Sequence, residues 1–288
     1  MIKPGEIQNK ARDVGVRDQQ IEKDYILSWL LQGIAQHEQL STSIVFKGGT
    51  VLKKVYFKDY RFSEDLDFTL RDIDISNDQI FDWFSDVFEY IQDEANIPLE
   101  IIDPESHRDR HEHEDARLPY LSTKQTGGQG GINFYISYVG PLGGIGANKR
   151  VKVDISRSEQ LQFEPVMQDT LLSYSDQEEH KLLCYPLEEV LVEKLRSVIQ
   201  RMQARDFYDI WYLLEIHEMD VTFYSIEFKA KCESKGIDPA SFHNKLEQRL
   251  VQYRGRWRSS MADQIHALPD FDQVEREVMR HVKKLTQV

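Results

Sequence analysis

The sequence predicts an α+β fold, with a mixed sheet in the first part of the chain and helices in the last. Three observations carry this. Short β-branched and aromatic runs at 44–46, 65–70, 132–139 and 150–155 have the length of strands, and the later ones alternate apolar with polar residues. Segments 18–38 and 76–95 stand among them with apolar residues three and four apart, the helical period. From Pro186 onward helical periodicity takes over. The expected division is therefore 1–180 for the sheet-bearing domain, N-terminal helix included, and 181–288 for the helical one.

In chain order, Asp18 can cap the first helix, whose Ile26, Leu30 and Ile34 line one face with Trp29 beside them. Its charged residues in Ile21–Tyr25 read as a solvated face. Ile44, Val45 and Phe46 form a buried strand that breaks at Gly48-Gly49 and restarts as a helix through Tyr56. In the next strand Leu66, Phe68 and Leu70 alternate with polar residues, so Asp65 and Asp67 share the other face. Ser76 caps the following helix, whose aromatic face reads as core. Pro98–Ile102 is a strand candidate. Residues 105–117, with His107, His111 and His113, read as a solvated charged loop in preference to a metal site, because no Cys accompanies them. Strands at 132–139 and 150–155 form a hairpin across a long glycine turn, and Lys152 and Asp154 share a face opposite Val151, Val153 and Ile155. Residues 160–183 read as irregular with a strand or two. Pro186 then opens a long helix carrying Lys194, followed by helices at 206–217, 238–252 and 270–285. Between the last two, Tyr253-Arg254-Gly255-Arg256-Trp257-Arg258 interleaves base with aromatic residues, a pattern for stacking on RNA or for a basic loop.

Composition bounds the function. The 288 residues are 40% hydrophobic and 30% charged, as in an ordinary globular chain. No apolar run reaches membrane-spanning length, and the opening MIKPGEIQNKARD has no apolar signal region, so a cytoplasmic protein is expected. Cys184 and Cys232 are far apart and in no metal-ligand spacing. A net charge of −13 argues against non-specific coating of nucleic acid. Residues 241–288 nevertheless carry nine Lys/Arg against six Asp/Glu, so that end is mildly basic.

The chemistry lies in residues 43–70. A strand that ends in two glycines and restarts as a helix turns backbone N–H groups outward, a setting for phosphate. Two carboxylates on one strand face repel unless a cation lies between them, and hard oxygen ligands are what Mg²⁺ takes. Alone, Asp-x-Asp reads first as a solvated strand edge. A Gly-Gly-Thr turn one strand earlier shifts that reading toward a phosphate site with its metal.

Lys47-Gly48-Gly49-Thr50, then Leu52, Lys54 and Tyr56, then Arg61-Phe62-Ser63-Glu64-Asp65-Leu66-Asp67, resemble the AbiEii toxin family of nucleotidyltransferases, within the DNA polymerase β-like superfamily. The segments Glu189–Leu195, Arg201 and Arg205-Asp206-Phe207-Tyr208-Asp209-Ile210 resemble the family's C-terminal signature, and Ile21–Tyr25 its opening helix. The resemblance implies a polymerase β-like nucleotidyltransferase domain followed by a helical domain that closes the nucleotide cleft. It implies Mg²⁺ or Mn²⁺ held by Asp65, Asp67 and Asp154, the last on a neighbouring strand. Lys194 would neutralise developing charge. Lys47, Gly48, Gly49, Thr50 and Ser63 would hold the triphosphate, while Lys54 and Arg61 either assist or pair with neighbouring acids. Arg205, Asp206 and Asp209 either join the site or form an internal ion network. It further implies an NTP as substrate, RNA (tRNA 3′ ends) as acceptor, and an antitoxin partner in a toxin–antitoxin or phage-defence system. Two rival readings stay open, a small-molecule nucleotidyltransferase and a catalytically idle nucleotide-binding protein.

Overall fold

The computed structural model describes residues 1–102, 122–126, 129–144 and 149–285. The charged segment 105–117 and its three histidines lie outside the described residues. The chain forms two compact units, Met1–Glu159 with Val166–Cys184, and Gln160–Pro165 with Tyr185–Val288.

The first unit opens with α1 (Pro4–Val14), which the sequence reading had not assigned, then α2 (Asp18–Gln36) and α3 (Glu38–Ser43). Asp18 is the first helical residue of α2 and not its cap; Arg17 holds that position without a side-chain bond. β1 (Ile44–Lys47) leads into α4 (Gly48–Val51), whose continuation Leu52–Tyr56 widens into a π turn. β2 (Asp65–Leu70), α5 (Asn77–Ala95) and β3 (Leu99–Ile101) follow. Ser76 and Gln79 form a reciprocal capping box on α5, which satisfies two otherwise orphaned N–H groups. β4 (Ser122–Thr126), β5 (Gln129–Tyr138), β6 (Arg150–Ser156), β7 (Val166–Asp169) and β8 (Lys181–Cys184) complete the unit. Because β7 and β8 pair within this sheet, the first unit extends past residue 180 to Cys184.

Among the described residues the strands form one eight-stranded sheet in the order β3-β5-β6-β2-β1-β8-β7, with β4 on β5. β1 and β2 run antiparallel while β2 and β6 run parallel, so the sheet is mixed. Phe46 lies opposite Phe68, with ring centroids 5.5 Å apart, and Phe68 opposite Ile155 and Ile155 opposite Ile132 continue this apolar row. All four are buried, which fixes the register, since a one-residue slip would turn them outward.

α2 departs from the amphipathic expectation. It is touched by α1, α3, α5, β6 and β8, and nearly every residue from Gln20 to Ile34 is buried. The charges expected on a solvated face are inside: Glu22 is 0% and Asp24 2% exposed. Glu22 accepts from Lys149 Nζ at 2.8–3.0 Å and from the Leu142 N–H at 2.8 Å. A side chain on Gly140 would collide with Glu22 at 2.7 Å. The described part of the second glycine run, residues 140–144, is thus a turn seated on a buried carboxylate.

The second unit holds α6 (Leu187–Gln200), α7 (Ala204–Trp211) with a π turn at Tyr212–Ile216, α8 (Ser225–Glu233), α9 (Phe242–Met261) and α10 (Phe271–Leu285). Glu189 and Lys231, both 0% exposed, pair at 2.6 Å, and Glu189 also accepts the N–H groups of Gln162 and Phe163. That anchor explains why Gln160–Pro165 belongs to this unit. The Tyr253–Arg258 segment is helical, not a loop, and it does not present its rings. Tyr253 is buried, donates to the Val198 carbonyl at 2.6 Å and stacks on Phe207. Trp257 is buried and donates to Pro269. The helical period turns both rings to the core, so stacking on RNA by this segment is ruled out; Arg256 and Arg258 remain exposed.

Candidate active site

β1 ends at Lys47, and the chain turns at Gly48 with φ +81°. L-residues rarely adopt that conformation. A side chain there would also fall on the Asp67 carboxylate, and one on Gly49 would meet the Arg61 guanidinium at 2.5 Å. The glycines are therefore required by close approach to β2 and to Arg61, whatever ligand the turn holds. Thr50 Oγ1 lies 2.5 Å from the Asp65 carbonyl and 2.8 Å from Ser63 Oγ. Its single proton serves the carbonyl, so the Ser63 hydroxyl donates to Thr50 Oγ1, and the pair ties the turn to the start of β2.

Register assembles the polar face of the sheet. Lys47 lies opposite Asp67, Asp67 opposite Asp154, and Asp154 opposite Asn133. One step along, Asp65 lies opposite Lys152 and Lys152 opposite Tyr135. Directly opposed residues share a face, so four strands contribute to one polar patch. Asp65, Asp67 and Asp154 thus come together on one face, as the spacing and the resemblance led one to expect. Asp65 and Asp67 are half-buried, and Asp154 is 37% exposed. Lys152, to which the sequence reading gave no role, donates to Asp154 Oδ2 at 3.1 Å. Burial alone would lower its pKa, but Asp154, then Asp67 and Asp65, outweigh that and hold it above the ordinary lysine value. The i, i+2 spacing from Asp154 was the signal that could have found it.

Of the two alternatives left for Lys54 and Arg61, Lys54 takes the pairing with an acid, and Arg61 is enclosed beside the turn. Lys54 is 2% exposed and its ammonium donates to Asp24 Oδ2 at 2.7 Å, the Asp24 carbonyl at 2.9 Å and Ser28 Oγ at 2.6 Å. Three bonds use all three donors, so Lys54 has none for a phosphate. Tyr174 OH, 2.8 Å from the same carboxylate, completes that cluster. Arg61 is 1% exposed, packed against Gly49 and bonded to the Phe62 carbonyl.

In the second unit, α6 and α7 bring Lys194, Asp206 and Asp209 together. Lys194 Nζ lies 2.8 Å from a carboxylate oxygen of each, with the three side chains 5% exposed or less. Arg201 grips both oxygens of Asp206, at 2.8 and 3.1 Å. Burial would raise the Asp206 pKa, but Lys194 and then Arg201 more than offset it and hold the carboxyl well below its usual range. Arg205 is half-buried on the same helix. This is the internal ion network that the sequence left open as an alternative.

Carboxylates are the donors a divalent cation takes, and the Lys152 ammonium at Asp154 is a cation already drawn to that face, so the residues fit a metal. Among the described residues no three Asp, Glu, His or Cys side chains form a ready-made metal cage. Asp154 is turned to Lys152.

Residues 29–277 match the family described as Nucleotidyl transferase AbiEii toxin, Type IV TA system. The chain belongs to the AbiEii family of nucleotidyltransferase toxins. The match takes in the glycine turn, both carboxylate strands and the Lys194 network, but not Ile21–Tyr25, which lies ahead of it. No match was found among curated protein sequences. Among solved structures, an inferred nucleotidyltransferase from H. pylori is similar with a TM-score of 0.55 at 14% identity, over 94% of this chain and 96% of that one. MenT4, a nucleotidyltransferase toxin from Mycobacterium tuberculosis H37Rv, is similar with a TM-score of 0.54 at 16% identity, over 100% of this chain and 91% of that one. Identity this low speaks for the fold alone. For an AbiEii chain the motifs left pairing with an acid open for Lys54 but did not name the buried partner, Asp24. Among the described residues no helix is long and apolar enough to cross a membrane.

Proposed function

We propose that this AbiEii chain transfers a nucleotide from an NTP to an RNA acceptor, with tRNA 3′ ends as the first candidate. It would act in the cytoplasm as the toxin of a toxin–antitoxin or phage-defence pair, restrained by a partner antitoxin. The observation that carries the reading is the register of Asp67 with Asp154, two residues from Asp65 on the same strand face and directly over the Gly48 turn.

Transfer requires an acceptor hydroxyl to attack the α-phosphorus while the bond to pyrophosphate breaks. Asp65 and Asp67, with Asp154, would hold Mg²⁺ or Mn²⁺. Such an ion supplies charge neutralisation at the phosphates and a lowered pKa at the attacking hydroxyl. As the alternative to holding metal, Asp154 on the adjacent strand would take the hydroxyl proton. The N–H groups after Lys47, at Gly48, Gly49 and Thr50, would donate to phosphate oxygens, and the Ser63 hydroxyl, turning from Thr50, would donate to one. Lys47, opposite Asp67, would balance charge beside them. Lys194, Arg205, Asp206 and Asp209 remain proposed contributors on the strength of the family signature, with Lys194 held in place by its two aspartates. Arg61 would act through Gly49, by fixing the turn.

Incubation with labelled NTPs, Mg²⁺ and bulk tRNA tests this. Label in RNA from the wild type and none from Asp67→Asn is expected. Equal label from both sinks the carboxylate site. The net charge of −13 favours a second reading, a cationic small-molecule acceptor. Label appearing in small molecules and not in RNA would select it.

A further inference from the structure

Lys152 is the one cation among the site residues that the sequence motifs leave unassigned, and its position is unusual. It sits on the same strand face as Asp154, two residues away, and donates to it at 3.1 Å. Asp65 lies directly opposite it and Asp67 directly opposite Asp154. Three carboxylates and one ammonium thus occupy the corners of two adjacent strands.

We propose that Lys152 is a built-in counterion that competes with the divalent cation for Asp154. The inference rests on the metal reading above and deepens it. An ammonium is a compact point charge on a flexible four-carbon stem, so it can leave without any backbone movement. Lys152 is 30% and Asp154 37% exposed, and ion pairs that open to water are weak. A doubly charged ion that several carboxylates can share outbids such a pair. Without metal, the ammonium keeps like charges on one face from repelling. With metal, Lys152 swings off Asp154, and the carboxylate is released for its role toward the ion or the acceptor hydroxyl. Nucleotide-free protein is thereby kept folded and quiet, and metal loading carries a defined competition step.

The test measures Mn²⁺ affinity of the full chain without nucleotide, from the free-Mn²⁺ paramagnetic resonance signal, alongside melting temperatures in EDTA and in saturating Mn²⁺. Lys152→Met is expected to bind Mn²⁺ about two- to fivefold tighter than wild type, the range a half-exposed ion pair can contribute. It should melt lower than wild type in EDTA, with the gap closing in Mn²⁺. Lys152→Arg keeps the charge and should stay close to wild-type affinity. Unchanged or weaker Mn²⁺ binding by Lys152→Met, with a melting loss equal in both buffers, overturns the inference and leaves Lys152 a structural residue. Should Lys152→Met not fold, Lys152→Gln is read the same way. If Asp67→Asn binds Mn²⁺ as tightly as wild type, the metal site itself is misplaced, and the failure then belongs to the parent reading.

Discussion

Two clusters of lysine and aspartate organise this protein, and they differ in one respect. On the helices, Lys194 and Arg201 meet Asp206 and Asp209 in balanced charge, with Lys194 and both aspartates buried. On the sheet, Asp65, Asp67 and Asp154 face Lys152 and Lys47, leaving carboxylate in excess on a partly open face. A balanced, dry cluster is already satisfied and holds helices together. An unbalanced, half-open one keeps affinity for a further cation. The residue types are the same; exposure and charge balance are what set the two clusters apart.

That contrast can be broken or sharpened by experiment. The largest effect is expected at Asp65→Asn and Asp67→Asn, each of which should abolish transfer while melting at or above the wild-type temperature, since repulsion is relieved. Measurable transfer at wild-type rate by either variant would place the reactive cluster elsewhere. Lys194→Ala should behave in the opposite way on stability. It strands two buried carboxylates and should cost about 3–5 kcal/mol in urea unfolding. A variant that unfolds like wild type would show that the cluster is not scaffold.

Lys54→Met, at the other buried pair, should lose a similar amount, about 3–5 kcal/mol, by orphaning Asp24. Its activity per folded molecule should be retained, because every Lys54 donor is spent inside the fold. Loss of activity in fully folded Lys54→Met would restore it to the nucleotide site.

Gly48→Ala should cost about 1–3 kcal/mol, from the left-handed backbone, with added pressure on Asp67. The same crowding makes substitutions at Gly49 poor probes of phosphate binding, since they disturb Arg61 first; Ser63→Ala reads the phosphate contact more cleanly.

The smallest effect is on pH. Asp206 has a folded pKa below its unfolded value near about 3.9. Its stabilising contribution is therefore present above about pH 4 and lost as pH falls through the folded pKa. Melting curves from pH 5 downward should fall more steeply for wild type than for Asp206→Asn, and parallel curves would remove Asp206 from the acid response.

Much of this was legible before any coordinates. The strand–turn–helix–strand unit, the capping box at Ser76 and the shared face of Asp65 and Asp67 are local, set by period-two alternation, glycine conformation and a three-residue spacing. Asp154 was singled out by the family resemblance, on a strand that alternates clearly, and the register sets it opposite Asp67. The basic-aromatic segment was misread because its periodicity was taken as loop composition, when Tyr253 and Trp257 stand four apart on the buried face of a helix. The charges of α2 were misread because propensity places Asp and Glu in water, and only the elements packed around the helix put them inside.

The sequence by itself determined which segments become strands and helices, and that Asp65 shares a strand face with Asp67 and Lys152 with Asp154, because those follow from neighbours two to four residues away. Only the tertiary structure decided the partner of each lysine. Lys54 went to Asp24, thirty residues upstream. Lys194 on α6 went to Asp206 and Asp209 on α7. Lys152 stayed beside Asp154, where register brings Asp65 and Asp67 alongside. A charge carries no spacing rule of its own; it pairs with whatever the packed backbone brings within reach and shields from water.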